Sequence, residues 1–208
     1  MKKITLFLLA LLGVSFIANA QEKGNFEFGF NAGFNGSLVS DENNSSDSRS
    51  GFNVGVSGEY YFSRSWGIKA KVIYDQKGYD NSIITITDYA NGTVNYSTNY
   101  NLNYITVPVM ANWHFGSKKN WYLNFGPYVG FLVNAKESRF DFDVKNAFET
   151  TDVGLAYGIG VKIPVSEYLK IFIEFDGQGG FTNIFKDPYF DNTTNSRGAL
   201  NVGLNFMF

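Results

Sequence analysis

Residues 197–208 read Arg197-Gly198-Ala199-Leu200-Asn201-Val202-Gly203-Leu204-Asn205-Phe206-Met207-Phe208. Leu200, Val202, Leu204, Phe206 and Phe208 fall on one parity; Arg197, Ala199, Asn201, Gly203 and Asn205 fall on the other. A period of two sends successive side chains to opposite faces of an extended strand. Here one face is apolar and the other is polar or small. The two preceding stretches repeat the pattern. Leu169, Ile171, Ile173 and Phe175 alternate with Lys170, Phe172, Glu174 and Asp176. Val153, Leu155, Tyr157, Ile159, Val161 and Ile163 alternate with Asp152, Gly154, Ala156, Gly158, Gly160 and Lys162.

Followed back toward the N-terminus, the alternation gives eight segments, near 26–38, 51–62, 66–79, 101–115, 121–136, 151–163, 168–182 and 197–208. Short turns follow the second, fourth and sixth: Ser63-Arg64-Ser65, Gly116 to Asn120, and Pro164 to Glu167. Longer polar segments, near 39–50, 80–100, 137–150 and 183–196, follow the first, third, fifth and seventh. The long segments carry an excess of acids and the short turns an excess of bases. Short turns on one side and long loops on the other predict an all-β fold: an eight-stranded antiparallel up-and-down barrel. An even strand count puts both ends on the short-turn side.

The first 20 residues have a different character. Lys2 and Lys3 precede an apolar run from Ile4 to Ile17, and Ala18-Asn19-Ala20 forms an A-x-A site. This reads as a secretory signal peptide over 1–20, leaving 21–208 as the barrel domain. The run is shorter than the ~20 residues a spanning helix needs. No Cys follows it to take a lipid, and the chain has no Cys at all. Formal net charge is −2, and no basic patch offers a footprint for nucleic acid. Beyond residue 20 no apolar run could span as a helix, so insertion in a bilayer requires a closed barrel.

A soluble barrel around a greasy ligand also alternates, with its apolar face inward. Three features predict the inverted, transmembrane arrangement. The polar face carries charge on nearly every strand: Glu27, Glu59, Lys69, Lys71, Asp75, Lys77, Lys136, Asp152, Lys162, Lys170, Glu174, Asp176 and Arg197. Small residues such as Gly29, Gly33, Gly126, Gly158, Gly160 and Gly203 share that face and make room for the long ones in a narrow interior. Tyr60, Phe62, Trp66, Trp113, Phe115, Trp121, Phe206 and Phe208 gather near the short turns, as an interfacial aromatic girdle does. The expected lumenal charge network comprises Glu27, Glu59, Lys69, Lys71, Asp75, Lys162, Lys170, Glu174, Asp176 and Arg197. Neighbouring strands should pair Glu59 with Lys69 and Lys71, and Lys162 and Lys170 with Glu174. The short turns would be periplasmic, the long loops extracellular, and the location the cell outer membrane.

Several stretches resemble the PorT-like outer-membrane β-barrel family of Bacteroidetes. They are Asn103-Tyr104-Ile105-Thr106-Val107-Pro108, Gly126-Pro127-Tyr128-Val129-Gly130, Ile73-Tyr74-Asp75-Gln76-Lys77-Gly78, and Asp152-Val153-Gly154 leading into Gly158-Ile159-Gly160. The resemblance spans essentially the whole mature chain and implies a small outer-membrane barrel. Lys71 and Thr106 depart from it, standing where members commonly carry an acid. Phe206 and Phe208 resemble the C-terminal assembly signal of such barrels, which implies the barrel-assembly machinery as a biogenesis partner. Membrane lipids are the other implied partner, with envelope or secretion-complex proteins beyond them.

No constellation for catalysis stands out. His114 is the single His, expected to point inward near a short turn as a structural hydrogen-bonder. Asp141 and Asp143, and Asp41, Glu42 and Asp47, supply oxygen ligands without the spacing of a Ca²⁺ loop. Gly158-Ile159-Gly160 lacks a following phosphate-binding Lys. No cofactor or metal is expected. The expected role is structural or surface interaction through lipid anchoring and outer loops, without catalysis. The alternative is a narrow pore, or a PorT-like subunit of a secretion or gliding machine.

Overall fold

The computed structural model describes residues 23–40, 46–88, 92–187 and 193–208; the signal-peptide stretch, Asp41 and Glu42 lie outside them. Eight strands run β1 (Phe26–Ser40), β2 (Asp47–Tyr61), β3 (Trp66–Asp88), β4 (Gly92–Phe115), β5 (Trp121–Glu137), β6 (Thr151–Pro164), β7 (Leu169–Gly180) and β8 (Thr194–Met207). Each pairs antiparallel with the next, and β8 returns to β1, closing the barrel. The closing seam runs from Glu27 opposite Met207 to Ser40 opposite Thr194. It is finished at the terminus by Phe208 N–H donating to Phe26 O at 2.8 Å and Phe26 N–H donating to Phe208 O at 3.1 Å. Closure satisfies strand edges that an open sheet would leave bare.

Parity sorts the side chains as the alternation requires. Phe28, Phe30, Val54, Val56, Val72, Val107, Val109, Phe125, Val129, Phe131, Leu155, Ile159, Ile171, Ile173, Val202 and Leu204, which share the apolar parity of their strands, are all exposed or half-exposed. The opposite parity holds buried charge on β1, β2, β3, β6, β7 and β8, and buried Asn, Thr, His and Tyr on β4 and β5. Near the short turns the rings of Trp66, Trp113, Phe115 and Trp121 stack in sequence, with centroids 6.2, 5.1 and 6.5 Å apart. Inside, small residues face large ones. A Cβ on Gly160 would sit 2.4 Å from the Tyr122 ring, and one on Gly203 would sit 2.4 Å from the Phe172 ring.

Two expectations are corrected. The segment near 80–100 is largely strand: β3 and β4 run on as a hairpin, pairing from Ser82 opposite Thr98 to Asp88 opposite Gly92. Its Ile83-Ile84-Thr85-Ile86-Thr87 run is β-branched, which suits a pleated surface even without a core beneath it. Thr85 donates to Asn95 at 2.8 Å, and the Thr87 and Thr93 hydroxyls lie 3.2 Å apart. Second, Lys136 does not face the lumen. Asn103 pairs with Asn134 while Tyr104 pairs with Leu132, so Val133 is an extra residue in β5. One extra residue reverses parity beyond it. Lys136 therefore turns outward to Asp141 at 2.8 Å, and Glu137 turns inward and is fully buried.

Ile159→Arg should destabilise the inserted barrel by about 2–4 kcal/mol if Ile159 lies at the bilayer midplane. Equilibrium unfolding from lipid vesicles measures this, and an unchanged midpoint would refute the face assignment. Deleting 197–208 removes a strand paired on both sides. Loss of the heat-modifiable band on a gel is expected, and a normal band would argue against obligatory closure.

Candidate functional site

Inward parity brings all ten expected charged residues together in the lumen. At the short-turn end, Glu27 on β1 accepts hydrogen bonds from Lys162, from Lys170 at 2.9 Å, from Asn205 at 2.7 Å and from the Tyr61 hydroxyl at 3.1 Å. Glu59 on β2 accepts from Lys162 and from Asn112, both at 2.8 Å, and its carboxylate lies 2.6 Å from His114 Nε2. Halfway up, Glu174 on β7 accepts from Lys69 at 3.2 Å, from Lys71 and from Asn124 at 2.9 Å. Asp176 accepts from Lys71 at 3.3 Å, from Asn201 at 3.0 Å and from Arg197. Arg197 Nε also donates to Asp75 at 2.9 Å, which accepts from Asn35 at 2.9 Å and Gln178 at 3.3 Å. Higher still, Lys77 donates to Asp152 at 3.3 Å, and the Tyr128 hydroxyl donates to the same carboxylate at 3.1 Å.

The ion pairs are not the neighbouring-strand pairs expected. Glu59 and Lys69 are register partners, yet Lys69 reaches Glu174 on the far wall. Lys162 passes its β7 neighbours and reaches Glu27 and Glu59. A Lys stem is longer than the gap between adjacent strands, so its ammonium comes to lie near the barrel axis, where acids from the opposite wall converge. Rings line the route. Lys69 lies 4.9 Å from the Tyr122 centroid, and Lys77 lies 5.1 Å from those of both Tyr104 and Tyr128. With Lys136 turned out and Glu137 turned in, six bases (Lys69, Lys71, Lys77, Lys162, Lys170 and Arg197) face seven acids (Glu27, Glu59, Asp75, Glu137, Asp152, Glu174 and Asp176) among the described residues, and Glu137 is held by the Thr98 hydroxyl. Of the neutral donors, Asn201 and Asn205 stand on the polar parity read from the last strand, whereas Asn35, Asn112, Asn124 and Tyr61 were not singled out in the sequence. Their shared inward parity with the charges was the available signal.

Above the ionic layers the interior turns apolar. Val39, Tyr79, Leu102, Tyr104, Leu132 and Ala135 pack with Phe148 and Ile184. The last two come from the connections after β5 and β7, which the sequence marks as long polar loops. Their backbones are joined: Glu149 N–H donates to Ile184 O at 2.8 Å, and Lys186 N–H donates to Ala147 O at 3.1 Å. Phe148 and Phe185 rings meet at 4.9 Å. The two connections thus fold inward over the mouth. Of the loop acids, Asp141 binds Lys136, and Asp143 accepts from Lys145 N–H at 2.9 Å. His114 is fully buried, its ring 5.1 Å from that of Tyr61.

A closed eight-stranded antiparallel barrel, apolar outside and charged inside, defines an integral outer-membrane β-barrel protein with short periplasmic turns and long extracellular loops. The family model for the outer membrane protein beta-barrel domain matches residues 19–186, and the chain belongs to that family. Among solved structures, Neisserial surface protein A (NspA) aligns at 16% identity with a TM-score of 0.53, covering 89% of this chain and 100% of that one. OprG from Pseudomonas aeruginosa aligns at 10% identity with a TM-score of 0.52, covering 91% of this chain and 98% of that one. These likenesses show the fold. No curated protein matches the sequence significantly.

Removing one acid strands buried cations, so Glu59→Ala and Glu174→Ala should each lower stability by about 3–5 kcal/mol. Asp47→Asn, at the exposed rim, should change it far less. Urea titrations of the folded fraction test the ranking. Equal midpoints for the lumenal and rim variants would show that the network does not hold the walls together.

Proposed function

We propose that this protein is a closed, lipid-anchored scaffold whose work is done at its extracellular face, as a structural or surface-interaction component of the envelope. One observation carries the proposal: the lumen is crossed by salt bridges between facing walls and capped by an apolar cluster. A solute passing through would have to separate several buried ion pairs and then displace Phe148 and Ile184. Eight strands enclose little more than the space that side chains fill. The proposed role involves no catalytic step. Outer-membrane lipids are the constant partner, and the Phe206 and Phe208 strand is the element offered to the assembly machinery.

A second role, as a PorT-like subunit of a secretion or gliding complex, is favoured by a specific feature. The β3–β4 hairpin runs past the end of the β2 pairing at Asp47 and the β5 pairing at Glu137. Its exposed Ile83 and Val94 would suit contact with another protein.

Reconstitution in planar bilayers tests the scaffold. Only brief, small openings are expected at moderate voltage. Large, steady channels would overturn it and promote a transport role.

A further inference from the structure

A cavity of about 1070 Å³ opens among the extracellular connections, above the apolar cap. This is the size of a site for a small organic molecule, roughly 300–1,000 Å³. Its lining is two-sided. One wall is aromatic: the Tyr79 and Tyr100 rings stack at 4.9 Å, Phe148 meets Tyr100 edge-on at 6.2 Å, and Phe148 lies tilted against Phe185 at 4.9 Å. The other is polar and acidic, with Asp47, Asp80 and Asp187 against the single Lys186. Asp80 is paired with Arg49 at 2.5 Å. Asp47 accepts from the Asn81 amide at 2.5 Å, a partner that brings no positive charge to it.

We infer that this cavity binds an amphipathic organic cation: an amine or quaternary ammonium carried on an apolar or aromatic body. Aromatic faces attract cations through the ring quadrupole, most strongly where water is displaced. A carboxylate beside such a wall adds a charge-assisted contact and disfavours anions. The body of the ligand lies against Tyr100 and Phe185, which are backed by the buried Tyr79 and Phe148 rings, and its charged end points to Asp47. The site is fixed by the barrel. Tyr79 and Tyr100 are register partners on β3 and β4, and Phe148 is locked into the cap. A ligand held there would be read from outside the cell without crossing the lumen, so the inference rests on the closed-scaffold proposal.

The test uses the full mature protein in nanodiscs of zwitterionic lipid, with empty nanodiscs as the blank. The probes are phenethyltrimethylammonium, neutral 3-phenylpropanol and anionic 3-phenylpropionate. Calorimetry should show saturable binding of the cation, with the anion at least tenfold weaker. NMR shifts should centre on Tyr79, Tyr100 and Ala147. Asp47→Asn should weaken the cation by roughly fivefold while leaving the neutral probe unchanged, a split that a merely structural effect would not give. Tyr100→Leu should weaken both. Equal affinity for cation and anion, shifts away from the mouth, or only the partitioning seen with empty nanodiscs would overturn the inference. Closed bilayers with no cation binding would sink this inference alone. Steady conductance would instead remove the scaffold on which it rests.

Discussion

Eight strands closed on themselves fix a radius at which a side chain from one wall reaches the other, and most of this structure follows from that radius. A wider ring would hold water, and each lumenal charge could remain solvated. Here there is room only for side chains. Each Lys or Arg on the inner face must then find an acid, because an unpaired buried charge is strongly penalised. The acids that can serve are those projecting from the far side. Lys69 and Lys71 on β3 end at Glu174 on β7, and Lys162 on β6 ends at Glu27 and Glu59 on β1 and β2. The network ties together strands that share no backbone hydrogen bond.

The exterior answers a different demand. Lipid offers no partner for a backbone amide, so every strand must be paired on both sides. The β1–β8 seam is therefore as much a condition of solubility in the bilayer as the apolar belt. The two demands meet in the glycines. Gly160 and Gly203 let Tyr122 and Phe172 lie flat against the inner wall, and these rings help fill what the ion pairs leave open.

The barrel was legible in the sequence because a period of two survives any detail of packing. Strand number, the outward face and most of the lumenal network follow from parity, closure follows from the demand that every strand in lipid be paired, and the aromatic girdle follows from position near the short turns. What parity does not carry is partner choice. Whether Lys69 meets Glu59 beside it or Glu174 across from it depends on stem length and barrel radius, which are three-dimensional quantities. A single extra residue also defeats parity. Nothing in the composition around Val133 marks the bulge, yet it exchanges Lys136 for Glu137 on the inner face. The polar cast of 80–100 hid the β-branched run Ile83 to Thr87. Phe148 after Ala147, and Ile184 beside Phe185, gave no alternating signal that they would turn back into the mouth.

The order of layers along the barrel axis makes the molecule one-sided. Charge crosses the periplasmic and middle levels, apolar packing seals the next level, and the aromatic and acidic cavity lies outermost. The seal separates two dielectric environments. Below it, ion pairs sit away from water and hold the walls in register. Above it, rings and carboxylates stand at the edge of solvent, where a ligand can displace water without disturbing a buried pair. Phe148 belongs to both sides, a member of the apolar cluster that seals the lumen and a ring contact of Tyr100 and Phe185 at the cavity. Because one rigid ring serves cap and cavity together, the outer site inherits its preorganisation from the same packing that closes the lumen.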